Sequence, residues 1–211
     1  MLKLYCFGES GHSYKVALGL TLAGLEWQAE HVDFFNGAQR TPEYLNNVNE
    51  MGEAPVLVLE DGTKMSQSGV ILDWIAAETG AFAGPSQDAE VLRWVLWDNH
   101  KLSSQAGVRR FLMNFLSEDK RPAEVIGFLG GRLAAALKVL EAHLTDREWI
   151  AGDALSAADI SCCSYLFYEE PFGFNRAEWP AIDAWLARIS AQPNWAHPYD
   201  LMTPAFPAKQ A

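Results

Sequence analysis

The chain has 211 residues, enough for one large domain or two small ones around real hydrophobic cores. Its 49% apolar content, with eight Trp and eleven Phe, excludes a disordered acidic tail. A formal net charge of −11 repels phosphate backbones, so no nucleic-acid partner is expected.

Residues 2–7, "LKLYCF", read as a short strand. A polar turn follows in "CFGESGHSYKV", and from Gly11 Val16, Leu20 and Ala23 recur on one helical face until Gly24 stops the helix. A second strand is expected over residues 28–34. Thr41-Pro42 then supplies an N-cap and a proline at the first helical position, for a short helix carrying Tyr44 and Leu45. Residues 55–59 form an apolar strand, Asp61-Gly62 a two-residue hairpin turn, and residues 63–65 its antiparallel return. Ser66 or Ser68 caps the next helix, whose apolar face is Val70, Ile71, Trp74 and Ile75. The order β-α-β-α-β-β-α predicts parallel neighbours in the first half and an added antiparallel strand in the second.

Residues 81–87 are read as a linker, which divides a small α/β domain over 1–80 from an all-helical domain over 88–211. Beyond the linker, a helix over residues 91–97 is apolar almost all round and is expected to be covered on more than one side. Leu129, Leu133, Leu137, Leu140 and Leu144 mark another. Ser156-Ala157-Ala158-Asp159 fits a capping box, after which Ile160, Cys163 and Phe167 line one face. Residues 179–189 form a further helix. The tail "PYDLMTPAFPAKQA" holds too many prolines for helix and is expected along the surface.

Apolar runs such as "VALGLTLAGL" are too short to span a bilayer, no leader pattern opens the chain, and a cytoplasmic location is the expectation. Cys162 and Cys163 are adjacent, Cys6 is remote, and neither CxxC nor His ligand spacing occurs. No metal is expected, and the cysteines read as small buried hydrophobes in a reducing compartment.

Three places can carry chemistry. Ser10 stands ahead of a helix N-terminus, where free amides and roughly half a positive charge favour an anion such as a thiolate. Ser13 and His12 share that turn; the plain alternative is that Ser10 or Ser13 only caps the helix and His12 only shapes it. No G-x-S-x-G supports a serine-hydrolase reading. In Glu53-Ala54-Pro55, a cis Ala54–Pro55 bond would leave the Ala54 backbone open to an extended peptide, unless Pro55 is an ordinary edge proline. Gln67-Ser68 opens the third helix as a carboxylate site, or merely as its cap. Together they describe a pocket for a peptide thiol.

With those residues in place, the chain resembles a glutathione transferase of the serine type, theta- or zeta-like, over nearly its whole length. "SGHSYKVALGL" resembles the S-x-C-x-W-R-V-x-L-x-L signature, "NEMGEAPVLVLEDG" the N-P-x-G-K-V-P-x-L segment, and "SQSGVILDWIA" the E-S-x-A-I-x-x-Y-L segment. "GDALSAADI" resembles the family's second-domain capping motif, a folding element. The resemblance implies a thioredoxin-like α/β first domain with an all-α second domain. It implies Ser10 as the group that stabilises the thiolate, Ala54 and Pro55 as the backbone clamp, and Gln67 and Ser68 as the γ-glutamyl binders. Glutathione is then the co-substrate, without metal. Three departures stand out. Glu53 replaces a basic or amide residue near the glycyl carboxylate, leaving Gln39 or Arg40 to hold it; Glu50 replaces a proline; Gln67 replaces glutamate. The family's omega-type cysteine position is Ser10 here, so thiol exchange through Cys6 is disfavoured.

The implied activity is conjugation of the glutathione thiolate to a small hydrophobic electrophile. Glutathione-dependent disulfide or peroxide reduction, isomerisation, or non-catalytic binding on the same scaffold are the alternatives. The electrophile pocket is expected between the domains, with Asn99, Lys101, Ser104 and Arg109 as polar liners or as solvent-facing residues. A two-fold homodimer is expected, without nucleic-acid or membrane partners.

Overall fold

The computed structural model describes residues 1–206, which fall into two units: Met1–Ala81 with the segment from Pro193, and Phe82–Gln192. The first unit is built on strand β1 (Leu2–Cys6), where Leu2, Leu4 and Cys6 are buried and Lys3 is exposed. Beside it run β2 (Trp27–His31), parallel, and β3 (Val56–Val58), antiparallel; β4 (Lys64–Ser66) closes the order β2-β1-β3-β4. The parallel pair is joined through α1 (Gly11–Leu22), and the β3–β4 hairpin turns at Asp61-Gly62. Gly62 has φ +87°, and the Thr63 N–H donates to Asp61 Oδ1 at 2.9 Å, so aspartate and glycine each have a defined task in that turn.

The second strand is shorter than the 28–34 expected. After His31 the chain leaves the sheet, Asn36 Nδ2 donates to both Asp33 carboxylate oxygens, and Phe34 stacks on Phe7 at 4.4 Å. Burying these rings outweighs strand propensity. Phe7, Val32 and Tyr44 form a cluster against which Tyr5, Phe34, Phe35, Ala38 and Ala54 pack. Tyr44 comes from α2 (Pro42–Asn47), capped by Thr41. In α3 (Ser68–Thr79) the expected serine cap is absent. The N-cap is Gln67 at φ 69°, Ser68 is the first helical residue, and no side chain caps the end.

In the second unit the helices are α4 (Ala89–Trp97), α5 (Ser103–Asn114), α6 (Ala123–Leu144), α7 (Ala157–Cys163) and α8 (Pro180–Ser190). Val91, Trp94 and Val95 are buried in α4, whereas Leu92 is 41% and Leu96 60% exposed, so the apolar residues on that flank of the helix face outward. A π-helical turn, Asp98–Leu102, joins α4 to α5. There the fully buried Asp98 accepts from Ser103 Oγ at 2.7 Å and Ser161 Oγ at 2.6 Å. Leu133, Leu137, Leu140 and Leu144 of α6 are buried, as their spacing predicts. Asp159 of α7 completes the capping box: Oδ2 accepts from the Ser156 N–H and hydroxyl, and Oδ1 from the Ile150 N–H and Trp185 Nε1.

The tail does contain one helix, the four-residue α9 (Pro198–Leu201), because Pro198 occupies its first turn, where no N–H is needed. The tail packs with the first unit, and the Tyr14 hydroxyl donates to the Ala196 carbonyl at 2.8 Å. Its last five residues lie outside the described residues.

Candidate active site

Sheet register brings the three places singled out in the sequence to one end of the sheet. Tyr5 pairs with Val56, and Val56 with Ser66. The chain leaving β1 toward Ser10, the Ala54–Pro55 step entering β3 and the Gln67–Ser68 step leaving β4 are therefore neighbours. Ala54 and Ala38 both pack on the Phe7 cluster, which draws the 38–40 segment to the same end.

Ser10 is the N-cap of α1 and is 6% exposed. Its Oγ accepts from the Ser13 N–H at 3.0 Å. That bond uses a lone pair and leaves the hydroxyl proton for donation to an incoming anion. The Ser13 Oγ is buried without a hydrogen-bond partner among the described residues. His12 has its pKa lowered to about 3, by burial first and then by the Lys15 charge, so its imidazole is neutral at physiological pH. Burial, with a smaller contribution from Glu30, pushes the Cys6 thiol up to about 12, and Cys162 and Cys163 are buried. None of the three has the environment of an activated nucleophile.

The Ala54–Pro55 peptide is cis. No hydrogen bond among the described residues engages the Ala54 N–H or C=O. The preceding Glu53 carbonyl is held twice, by the Tyr44 hydroxyl and by Asn49 Nδ2, each at 3.0 Å. These two residues fix the segment from behind. The sequence marks Tyr44 only as part of a short helix, and nothing local in it singles out Asn49. Burial pushes the Tyr44 phenol up to about 12, which keeps it a donor.

Gln67 is a non-glycine residue in the left-handed region, a conformation that costs about 1–3 kcal/mol and marks functional positions. Its side chain is exposed, and Nε2 donates to Glu53 Oε2 at 3.0 Å. Ser68 is buried at the α3 N-terminus. Gln39 is buried with Oε1 unpartnered among the described residues, and its carbonyl lies 3.2 Å from where a Cβ on Gly52 would stand. Gln39 therefore adjoins the Glu53 segment. Arg40 is exposed.

The expected pocket liners have separate settings in the second unit. Asn99 and Lys101 lie on the π-helical turn, Lys101 exposed. The Ser104 hydroxyl donates to the His100 carbonyl at 2.8 Å. Arg109 donates to the Ile126 carbonyl at 3.2 Å and also to that of Phe172, tying α5 to α6 and to the 172 loop. Among the described residues no group of three or more His, Cys, Asp or Glu could hold a metal ion, and no helix is long and apolar enough to cross a membrane.

Two family descriptions match the chain: "Glutathione S-transferase, N-terminal domain" over residues 9–78 and "Glutathione S-transferase, C-terminal domain" over residues 109–193. Maleylacetoacetate isomerase of Pseudomonas aeruginosa is 28% identical over 216 residues, 98% of this chain and 100% of that protein. Disulfide-bond oxidoreductase YfcG of Escherichia coli is 26% identical over 92% of each. The crystal structure of glutathione S-transferase from Pseudomonas fluorescens Pf-5 superposes with a TM-score of 0.85 at 31% identity, over 93% of this chain and 98% of that one.

Proposed function

The chain belongs to the glutathione S-transferase family, and from that premise we propose that it conjugates the glutathione thiolate to a small hydrophobic electrophile, with Ser10 as hydrogen-bond donor to the sulfur. The observation that carries this reading is the Ser13 N–H to Ser10 Oγ bond, which orients the hydroxyl at the N-terminus of a 12-residue helix. The open Ala54 backbone is suited to pair with the cysteinyl residue of the tripeptide. The α3 N-terminus with Ser68 and Gln67 is suited to its γ-glutamyl carboxylate, and Gln39 or Arg40 to its glycyl end.

Magnitudes set the division of labour. A free thiol with pKa of about 8.5 is only about 3% ionised at neutral pH. Lowering that value by about two units, worth roughly 2.7 kcal/mol, raises the thiolate fraction about 25-fold. Nucleophilicity falls about tenfold over the same range, leaving a net gain of two- to threefold. Most of the acceleration must therefore come from holding the electrophile beside the sulfur.

Glutathione-dependent isomerisation or disulfide reduction is the second reading, favoured by the likeness to a maleylacetoacetate isomerase and a disulfide-bond oxidoreductase. The buried Cys6 argues against a reductase that exchanges through an enzyme thiol. A reducing, cytoplasmic compartment belongs to the same proposal. So does a two-fold homodimer, supported by the exposed Leu92, Leu96 and Phe128 and checked by sedimentation.

Calorimetric titration with glutathione is the first test, because a scaffold without a glutathione site gives no binding heat. Chloronitrobenzenes, hydroperoxides, mixed disulfides and maleylacetoacetate then separate the reactions. Ser10→Ala should raise the pH midpoint of turnover and lower kcat with little change in fold. An unchanged pH profile would remove Ser10 from the mechanism.

A further inference from the structure

The turn that carries Ser10 is fastened from outside by the far end of the chain. Inside the turn, the Ser10 N–H donates to the Phe7 carbonyl at 3.1 Å. On its other side the Gly8 N–H donates to the Thr203 carbonyl at 2.8 Å. Glu9, 6% exposed, accepts from the Ala205 N–H at Oε2 and the Phe206 N–H at Oε1, both at 2.9 Å. Phe206 meets Phe35 edge-on at 4.9 Å, and Phe35 packs on Phe7. Gly8 leaves little room for a side chain, and the tail backbone would have to give by a few tenths of an ångström to admit one. A Cβ there would stand 3.0 Å from the Met202 carbonyl oxygen and from the Cα and N of Pro204.

We propose that Glu9 is a positioning residue for Ser10, acting through a clamp between this turn and residues 202–206 of the chain's own tail. The inference rests on the reading of Ser10 as the thiolate's donor. A buried carboxylate is costly unless hydrogen-bonded, and this one has both oxygens engaged by backbone amides that arrive some 196 residues later in the sequence. Charge alone gives no reason for it. A carboxylate next to the thiolate's donor raises a thiol pKa. Its value is geometric: it fixes the peptide unit entering Ser10, and with it the direction of the hydroxyl, which must be right to within a fraction of an ångström for donation to a sulfur anion.

Three variants test the clamp, each read by the ultraviolet absorbance of glutathione thiolate bound to the full-length protein as pH is varied. Glu9→Ala removes both acceptors. Gly8→Ala leaves Glu9 in place but pushes the tail away, so it carries the test even if Glu9→Ala fails to fold. Glu9→Gln removes the charge and keeps one acceptor oxygen. The ionisable groups on the packed elements are left unaltered in all three: His12, Tyr14 and Lys15 of α1, His31 and Asp33 by β2, and His197, Tyr199 and Asp200 of the tail.

The expected result is a thiolate midpoint about half to one unit higher in Glu9→Ala and Gly8→Ala. By the balance of thiolate fraction against nucleophilicity, kcat at neutral pH should change by less than about twofold, while glutathione affinity should weaken by about two- to threefold, the amount linked to the midpoint shift. Glu9→Gln should fall between wild type and Glu9→Ala. A lower midpoint in both Glu9 variants would make charge the operative term and overturn the clamp. So would a lowered melting temperature with the midpoint unmoved. A Ser10→Ala protein with an unmoved midpoint removes the reading beneath it. A shifted Ser10→Ala beside unshifted Glu9→Ala and Gly8→Ala removes the clamp alone.

Discussion

The side-chain amide of Gln67 donates to the carboxylate of Glu53 at 3.0 Å, so a residue proposed to receive the γ-glutamyl end of glutathione is occupied by a neighbour's acid. Ligand and Glu53 then compete for the same donor. Glu53 also places a negative charge beside the segment proposed to hold an anionic tripeptide. Glu53→Ala should therefore tighten glutathione binding about three- to tenfold, the range given by one hydrogen bond to a charged, exposed partner. Titration calorimetry at low and moderate salt checks this, and the gain should shrink as salt rises. Equal or weaker affinity would show that the Glu53–Gln67 contact supports the site instead of blocking it.

Asp159 is fully buried, and burial pushes its carboxyl above the ordinary range against the pull of four donors. Asp159→Ala would orphan the Ile150 and Ser156 amides, the Ser156 hydroxyl and the Trp185 indole N–H at once. A loss of about 3 kcal/mol or more is expected, read as a lower urea midpoint. Residual activity per folded molecule should be unchanged, because the contacts lie in the second unit and position no proposed ligand group.

His12 sets an acid limit on stability. Its folded pKa, about 3, lies below its ordinary value of about 6.5, so between those values the unfolded chain binds a proton that the folded chain does not. Stability contributed by the neutral imidazole is intact above about pH 6.5 and is lost as pH falls toward 3. His12→Gln should flatten the stability curve across that window and leave it unchanged above it. Urea midpoints at a series of pH values decide the matter; parallel curves for the two proteins would show that His12 is not the titrating group.

Much of the first unit was legible because periodicity changes there, from alternation in "LKLYC" to helical spacing after Gly11, with Asp61-Gly62 marking the hairpin. Strand direction and register then place the chain beyond Cys6, the Ala54–Pro55 step and Gln67 at one end of the sheet. What stayed hidden depends on side chains meeting across loops. Nothing local to "GESG" announces that Glu9 receives amides from residues 205 and 206. Nothing local to "NNVNEMG" announces that Asn49 and Tyr44 hold one carbonyl between them. Strand propensity extended the second strand too far because it ignores the aromatic cluster that draws Phe34 and Phe35 aside.

The widened turn at Asp98–Leu102 has a consequence for the two arginines that follow it. In an unbroken α-helix, Arg109 would stand about five turns of 3.6 residues beyond the buried Val91, on the same azimuth. One extra residue in the coil rotates everything downstream by about 100°. Arg110 is the one that enters the interior, with Tyr168 under its guanidinium at 3.9 Å and Glu170 paired at 2.9 Å. Arg109 is left at the flank to fasten the loop at Phe172. A single residue's excess, locked by two serines on a buried aspartate, thus decides which of two chemically identical neighbours becomes core and which becomes strut.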